Sequence, residues 1–327
     1  MNPDSNLLDY LDESFYLDFR AQGHGVMIQY VWIYEHEVDF EGLRRFQRNL
    51  GHSLLSRCVE DSPIPGGRAH WVRWQPPADL DVAAQPRPFS EIPTWADEQA
   101  ALPIDIENGP PWRLAVQPMV GGGAGVTLIV AHGVGDGVGA VNAISDAVNG
   151  VQVDLGYPPR HARRTFQALR ADARQLIRDL PQIAKAVVTA PRAAKELPLR
   201  MRPATTSRAL VRQDGTNPGQ LVRMPAVAVF IDPEQWDQRA AALGGNSIAL
   251  FIGICARLCG RLNWVDTDGL ANVTIPVNER RPGDTRGNAL TGVMMTVDPA
   301  QALDLPKIRA DVKTALSGAE RMRALVT

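Results

Sequence analysis

Apolar and polar residues follow two patterns along the chain, one typical of strands and one typical of helices. Runs rich in β-branched and aromatic residues predict strands over 26–34, 69–74, 112–119, 125–132, 225–231, 270–277 and 289–297. Apolar residues spaced three and four apart predict helices over 40–55, 138–148, 246–262 and 307–325. Because the two kinds of element are interleaved, the pattern predicts a mixed-sheet α+β sandwich of the α/β type.

Two of these elements carry more specific expectations. The strands 112–119 and 125–132 are joined by the glycine run 121–123, which predicts a hairpin inside the sheet. The helix 246–262 is apolar on most of its faces, so we expect it to be buried.

Composition places the chain among ordinary soluble proteins. It has 327 residues, a hydrophobic fraction of 45% and a formal net charge of −2, which gives no general attraction to nucleic acid. The N-terminus is polar and acidic, unlike a secretory signal. Three cysteines argue against a disulfide framework and favour the cytoplasm. The histidines and cysteines lack metal-ligand spacing, so we predict neither a metal nor a bound cofactor.

One segment departs from this neutral balance. Residues 160–212 hold 13 Lys or Arg against three acidic residues, a local charge of +10. Up to Pro181 the apolar residues recur at helical spacing, so we predict a basic amphipathic helix. Such a helix lies either on an anionic membrane or lipid surface, or in solvent as a crossover between two halves. Aromatic residues do not interleave with the basic ones, which argues against nucleic acid.

The most informative motif joins the strand 125–132 to the helix 138–148. The strand delivers His132 into a glycine-rich turn, with Asp136 four residues later and Gly137 after it. Histidine accepts protons near neutral pH, and a strand end holds it rigidly. We therefore predict acid–base catalysis by His132, oriented by Asp136. The alternatives are a hydrogen-bonded structural histidine and a plain Asp-Gly turn.

Four blocks in register resemble one family. They are Ala131-His132-Gly-Val-Gly-Asp136-Gly137, Leu102-Pro-Ile-Asp-Ile-Glu-Asn-Gly-Pro-Pro-Trp112-Arg113-Leu, Asn246-Ser247, and Ile275-Pro-Val-Asn278-Glu-Arg280 followed by Gly287-Asn288. Their order resembles that of the wax ester synthase and diacylglycerol acyltransferase branch of the chloramphenicol-acetyltransferase-like acyltransferases. The branch carries His-His-x-x-x-Asp-Gly, a proline-leucine-tryptophan block, Asn-Asp, and Pro-Val-Ser-x-Arg with Gly-Asn.

The resemblance implies two lobes and an O-acyl transfer from acyl-CoA, a co-substrate, to a lipid alcohol such as diacylglycerol or a fatty alcohol. His132 matches the family's general base, and Asp136 its structural aspartate, for which Arg280 is the candidate partner. Gly137 and Asn246 are candidate substrate-binding residues. Trp112 is assigned to structural support, since aromatic burial alone explains it.

The implied organisation has three parts: an N-terminal lobe (1–158), a basic helical crossover (159–222) and an incomplete C-terminal lobe (223–327). The incomplete lobe leaves three alternatives: a fragment, a split protein whose second chain completes the lobe, or a decayed homologue. We expect a cytoplasmic protein in peripheral contact with membrane or lipid droplets. Ala131 and Ser247 depart from the family pattern, which leaves a non-catalytic binding member of the fold as one alternative. Another is a dinucleotide-binding oxidoreductase, because Gly135-Asp-Gly137-Val-Gly-Ala140 fits a degenerate fingerprint with Asp154 at ribose-binding distance.

Overall fold

The structure is a computed structural model that describes residues 6–23, 25–76, 80–196 and 227–326. The chain forms two compact units, of which the first comprises Met1–Ile183 with Asn278–Leu290 and the second Ala184–Val277 with Thr291–Thr327. Segment 278–290 therefore packs with the first unit, although the sequence analysis places it in a separate C-terminal part. Residues 159–183 of the predicted crossover also belong to the first unit, while its residues 197–222 lie outside the described ranges.

The first unit contains most of the elements before Ile183. In chain order they are α1 (Tyr10–Gln22), β1 (Met27–Tyr34), α2 (Phe40–Leu50), β2 (Arg57–Glu60), β3 (His70–Arg73), β4 (Asp81–Val82), α3 (Ile92–Ala100), β5 (Trp112–Pro118), β6 (Ala124–Ala131), α4 (Gly137–Val148) and α5 (Thr165–Glu196), which continues past the division. Helix α1 and the strands β2 and β4 are not predicted from the sequence.

A four-stranded sheet in the order β1-β6-β5-β4 forms the centre of this unit. Strand β6 is antiparallel to both of its neighbours, with Ala131 opposite Met27 and Val130 opposite Trp112, so the predicted hairpin is confirmed. All eight residues of β6 are buried. A strand that is hydrogen-bonded on both edges and covered on both faces is a rigid support for the turn that follows it.

This topology overturns the dinucleotide-binding alternative. A dinucleotide fingerprint works in a βαβ unit, whose strands run parallel within one sheet. The strand before Gly135 is β6, and it is antiparallel to both neighbours. Asp154 lies on an exposed loop between α4 and α5 rather than at a strand end. The glycines therefore serve the turn into α4.

Apart from the end of α5, the described residues of the second unit form three helices and a two-stranded sheet. These are α6 (Pro233–Ala242), α7 (Ser247–Arg261), β7 (Ala271–Asn278), β8 (Leu290–Val297) and α8 (Leu305–Val326), with β7 and β8 paired. Its core contains Leu250, Ile252, Met295, Leu305 and Ile308. The unit has an apolar core of its own, as independently packed domains do.

Two expectations for this unit are wrong. Helix α7 buries Leu250 and Ile252 but exposes Ile248, Phe251 and Leu258, because its neighbours cover one face only. The predicted strand 225–231 is not formed in its described part, 227–231. β-branched residues favour a strand only where a partner completes the hydrogen-bond ladder, and none of the strands in the described ranges pairs with this segment.

A helix that spans a membrane must be both long enough and apolar enough to cross the bilayer. No single helix in the described ranges meets both requirements, whereas α6 and α7 meet them only as a pair bent by 84°. Within the same ranges, His, Cys, Asp and Glu side chains do not gather in threes as they would around a metal ion.

Candidate active site

His132 follows the buried strand β6 directly. Its backbone N–H donates to the carbonyl of Val26 (2.8 Å), which extends the β1–β6 pairing by one residue. The imidazole is half-buried and stacks on the ring of Phe15 from α1, with centroids 4.7 Å apart and planes 11° apart. The imidazole is thus held against a flat apolar surface and remains partly accessible.

The amide of Asn288 fixes which imidazole nitrogen carries the proton. Asn288 Nδ2 donates to the carboxylate of Asp12 (3.0 Å) and to the carbonyl of His132 (3.0 Å), so the amide oxygen is turned toward the imidazole. That oxygen lies 2.8 Å from His132 Nδ1. A carbonyl oxygen only accepts, so Nδ1 must donate. In the neutral ring the lone pair is then on Nε2, which no hydrogen bond reaches within the described ranges.

Asp12 anchors this arrangement from inside α1. The helix begins after Asp9, whose side chain caps it by accepting from the N–H of Leu11. Asp12 is fully buried and also accepts from the N–H groups of Gly287 (2.9 Å) and Asn288 (2.7 Å). Burial raises the pKa of Asp12, although its hydrogen bonds and the nearby Arg57 charge oppose that rise. One carboxylate thereby holds both the backbone and the side chain of Asn288.

Asp136 ties the histidine turn to segment 278–290. It is the N-cap of α4, accepting from the N–H of Gly139 (2.6 Å), and it also accepts from the N–H of Ala289 (2.7 Å). Arg280 donates at 2.9 Å to Asp136 Oδ2, the same oxygen that accepts from Ala289, and both side chains are buried. This is the pairing that the sequence analysis proposes for Arg280. Since Asp136 lies beside Ala289, it positions the segment that carries Asn288.

Arg280 also organises its own segment. Its guanidinium donates to the carbonyl groups of Asp284 (3.1 Å), Arg286 (2.9 Å) and Gly287 (2.8 Å). Residues 280–287 therefore fold around one buried arginine, which binds three of their carbonyl groups. The fixed fork of the guanidinium suits this role, since several acceptors are held in one plane.

A side chain would be crowded at Gly139, in the first turn of α4. A Cβ on Gly139 would lie 3.0 Å from Arg280 Nη2 and 3.1 Å from Asp136 Oδ1. At Gly137, the residue singled out from the sequence, a Cβ would meet nothing within 4 Å. Its carbonyl accepts from the hydroxyl of Tyr30 (3.1 Å). The steric constraint is at Gly139, and substrate binding by Gly137 stays a prediction.

The remaining predicted residues lie outside this cluster. Trp112 is buried, donates from Nε1 to the carbonyl of Leu55 (3.1 Å) and meets Trp74 edge to face. Asn246 belongs to the second unit, where its side chain caps α7 by accepting from the N–H of Ala249 (2.9 Å). Trp112 therefore packs in the core, and a substrate contact by Asn246 stays a prediction.

Sequence reasoning misses four residues of this cluster: Asp12, Phe15, Arg57 and Asn288. Asn288 is part of the Gly287-Asn288 block, which gives it a sequence signal without a role. Arg57 is fully buried, lies over the Trp71 ring, and donates to the carbonyls of Val134 (2.8 Å) and Thr285 (2.5 Å). It joins the histidine turn to segment 278–290 at a second point.

A pocket of about 440 Å³ has Asp12 among its lining residues. Its walls include Leu8, Trp71, Tyr157 and Arg286. His132 is not among its lining residues, so we do not assign this pocket to the reacting groups.

The arrangement of His132 suits one chemical task. A neutral imidazole with a protonated Nδ1 and a bare Nε2 is prepared to take a proton from a bound nucleophile and to return it later. Asn288, Asp12 and Phe15 hold the imidazole, and Asp136 with Arg280 holds the segment that carries Asn288.

No protein-family profile and no curated protein matches the sequence. Solved structures do match the fold. The first condensation domain of the calcium-dependent antibiotic synthetase, in complex with a substrate analogue, aligns with a TM-score of 0.58 at 15% identity over 96% of this chain and 75% of that one. The starter condensation domain of rhizomide synthetase, in complex with C8-CoA, gives 0.52 at 14% identity over 95% and 71%.

A third match is the X-domain from teicoplanin biosynthesis in complex with OxyB. It gives a TM-score of 0.51 at 16% identity over 98% of this chain and 71% of that one. Identities this low establish the fold alone. The resemblance to the wax ester synthase branch therefore stays a prediction. The predicted fold class is confirmed: the chain has the mixed α/β, chloramphenicol-acetyltransferase-like fold of the condensation domains.

Proposed function

We propose that the protein is an acyltransferase in which His132 is the general base. The observation that carries the proposal is the 2.8 Å contact between His132 Nδ1 and the oriented Asn288 amide oxygen. It leaves Nε2 as the basic nitrogen on a half-buried ring. A structure of the same fold in complex with C8-CoA supports an acyl thioester as the donor.

The reaction follows from this geometry. His132 Nε2 takes the proton of an acceptor hydroxyl as the acceptor oxygen bonds to the thioester carbonyl carbon. The tetrahedral intermediate then expels the thiolate by breaking the C–S bond. The thiolate takes the proton back from the imidazolium, giving an ester and free coenzyme A. A positioned base of this kind contributes about 10²–10⁴ in rate.

The narrower form of the proposal takes acyl-CoA as the donor, with long chains first. The acceptor is a lipid alcohol, either diacylglycerol to give triacylglycerol or a fatty alcohol to give a wax ester. It rests on the four sequence blocks. The enzyme would need no metal or resident cofactor and would work in the cytoplasm.

An acyl-transfer assay tests the proposal. Release of free thiol is followed for acyl-CoA donors of increasing chain length with lipid alcohols, and product esters are identified by mass spectrometry. We expect His132→Ala to retain substrate binding but to lose about 10²–10⁴-fold in kcat. The matched control is His36→Ala, since His36 is exposed and lies in the loop after β1. Equal turnover in the wild-type protein and His132→Ala would remove His132 from the reaction.

An amine acceptor is the second candidate, favoured because two of the matching structures are named condensation domains. Attack by an amine uses the same base and gives an amide. Including amines beside alcohols in the acceptor panel separates the two, because the product masses differ. An amide product would replace the ester-forming proposal without changing the role of His132.

A binding role without catalysis is the third candidate. The X-domain of the same fold is solved in complex with another protein, OxyB, and Ala131 and Ser247 depart from the acyltransferase blocks. A second chain that completes the C-terminal lobe belongs to this candidate. Wild-type protein that turns over no donor, yet co-purifies with one stoichiometric partner, would favour it.

A further inference from the structure

Helix α5 shows the reverse of the burial pattern of an ordinary amphipathic surface helix. Such a helix buries its apolar face and exposes its polar one. In α5 the inward face carries the buried residues Ala168, Asp172 and Asp179. The outward face carries large apolar side chains, with Phe166 80% exposed and Ile177 65% exposed.

Ion pairs hold the acidic face inward. Asp172 lies 2.8 Å from Arg163 and 3.2 Å from His70, and it accepts from the hydroxyl of Ser62 (2.8 Å). Asp179 lies 3.3 Å from Arg68 and accepts from the hydroxyl of Tyr10 (3.2 Å). His70, Ser62 and Arg68 belong to β3 and the loop before it, Tyr10 to α1 and Arg163 to the loop before α5. The helix is therefore fixed in this rotation by other elements of the first unit.

The outward apolar residues form a continuous stripe. Its members are exposed and separated by three or four positions: Phe166, Leu169, Ile177, Leu180 and Ile183, with Ala173 between the second and third. At 1.5 Å per residue the stripe is about 25 Å long. A row of this kind on the outside of a protein marks an interaction surface.

The charged residues beside the stripe indicate which kind of partner it binds. Arg170 and Arg174 are exposed and lie one turn apart, on the flank of the stripe. The acidic residues of 165–183 are Asp172 and Asp179, and both are buried. The charged groups that α5 exposes over this range are therefore all cationic. Large apolar groups beside arginines suit a bilayer with anionic headgroups, because the stripe enters the acyl boundary and the guanidinium groups meet phosphate.

We propose that the outward face of α5, from Phe166 to Ile183, docks the protein onto an anionic phospholipid membrane. The proposal stands apart from acyl transfer and predicts binding whether or not the chain turns over substrate.

Vesicle flotation with the full chain tests the proposal. We expect wild-type protein to float with vesicles of phosphatidylcholine mixed with phosphatidylglycerol, and only weakly with phosphatidylcholine alone. High salt should release it, since screening weakens the attraction of arginine to headgroups. These comparisons use one protein, so they hold even if a variant fails to fold. Equal binding to both kinds of vesicle, or binding to neither, would overturn the proposal.

Two double variants locate the surface. Arg170→Gln with Arg174→Gln should weaken binding about 30-fold, from roughly 1 kcal/mol per arginine near an anionic surface. Phe166→Ser with Ile177→Ser should weaken it by about tenfold or more. Val120→Ser with Val148→Ser replaces exposed apolar residues elsewhere on the first unit and should leave binding unchanged.

Two results would contradict this assignment. One is full vesicle binding in both α5 double variants. The other is a dimer in light scattering that dissociates in Phe166→Ser with Ile177→Ser while vesicles do not bind, which would make the stripe a contact between two copies.

Discussion

The imidazole of His132 is held by a side chain that is 156 positions away in the sequence. Asn288 reaches Nδ1, and its own orientation is set by the buried carboxylate of Asp12. The ring face lies on Phe15. Asn288, oriented by Asp12, therefore decides which nitrogen of the imidazole is basic, while Phe15 supports the ring. The tautomer in turn decides what His132 can do as a catalyst.

Asn288→Ala tests this dependence at a single side chain. Without the amide oxygen both tautomers of the imidazole become available. A catalytic histidine in the wrong tautomer loses up to about 10⁴-fold in kcat, and we expect a loss of about 10- to 100-fold here, with KM nearly unchanged. Steady-state kinetics against the control Asn149→Ala, an exposed asparagine on the same unit, measures it. A rise in KM at constant kcat would show that Asn288 binds substrate instead.

His132, Asp136 and Arg280 are accessible to sequence reasoning because a strand, a turn and a resemblance all point to them. Asp12 and Phe15 are not. They lie on α1, where neither residue type nor spacing indicates a site, and their importance arises only when the chain folds. The sequence also does not show that space is tight at Gly139 rather than at Gly137, since this depends on where the Arg280 guanidinium packs.

Among the elements, α4 and segment 278–290 depend on each other through one ion pair. Asp136 caps the helix and holds Arg280 and the N–H of Ala289, while Arg280 binds three carbonyl groups of its own segment. Removing one partner leaves a buried charge without compensation, which is costly. The same contact determines where Asn288 lies.

Asp136→Asn should therefore lower stability and activity together. We expect the free energy of unfolding of the first unit to fall by about 3–5 kcal/mol, the usual cost of breaking a buried pair from one side. Denaturant unfolding measures it, with Asp146→Asn, a partly exposed residue of the same helix, as the control. A loss below about 0.5 kcal/mol, typical of surface changes, would contradict a buried structural pair.

Helix α5 gives a pH-dependent prediction. Burial tends to raise the pKa of Asp172, but the hydrogen bonds from His70, Arg163 and Ser62 outweigh it and lower the pKa to about 2. A depressed folded-state pKa stabilises the protein above the unfolded-state value near 4, and the stabilisation is lost as pH falls toward 2. We expect Asp172 to contribute roughly 1–2 kcal/mol at pH 7 after allowing for screening.

Thermal unfolding from pH 7 to pH 2 tests this contribution. Asp172→Asn should be less stable at pH 7 and should show a shallower loss of stability between pH 4 and pH 2. Parallel curves for the wild-type and variant proteins would mean that Asp172 is not paired as described.

The elements differ in how far the sequence predicts them. Strands β5 and β6 and helix α4 carry strong local patterns that agree with their surroundings, so their bounds are close to those expected. The burial of α7 and the orientation of α5 do not follow from local patterns. Which face of a helix is covered depends on the neighbours, and in α5 paired acids occupy the inward face instead of its apolar residues.

At the scale of the whole molecule, the chain has two compact units with separate apolar cores. Length alone indicates two domains, but the division does not follow a single cut in the sequence. Segment 278–290 lies between two stretches of the second unit in the sequence but packs in the first unit. Local patterns cannot reveal this, because the segment is fixed by the distant partners Asp12, Arg57 and Asp136.

The three cysteines report on the two units separately. Cys58 is buried in the first unit, and burial raises the pKa of its thiol to about 12. Cys255 and Cys259 are partly exposed in the second. We expect two thiols to react with a thiol reagent in the native protein, while Cys58 reacts only after the first unit unfolds. Asp136→Asn should lower the urea concentration at which Cys58 becomes reactive.

Mass spectrometry of labelled peptides across a urea series distinguishes the sites. Labelling of Cys58 in the native protein, or its exposure in a transition that Asp136→Asn left unmoved, would contradict its burial in the first unit.

The tautomer of the His132 imidazole tests the role of His132 as general base most directly. Nitrogen-15 NMR of protein labelled at histidine, assigned by comparison with His132→Ala, reports which ring nitrogen carries the proton when the imidazole is neutral. We predict a proton on Nδ1 and a bare Nε2, and loss of that preference in Asn288→Ala. A neutral imidazole protonated on Nε2 would carry its lone pair on Nδ1, which faces Asn288, and would contradict His132 as the base.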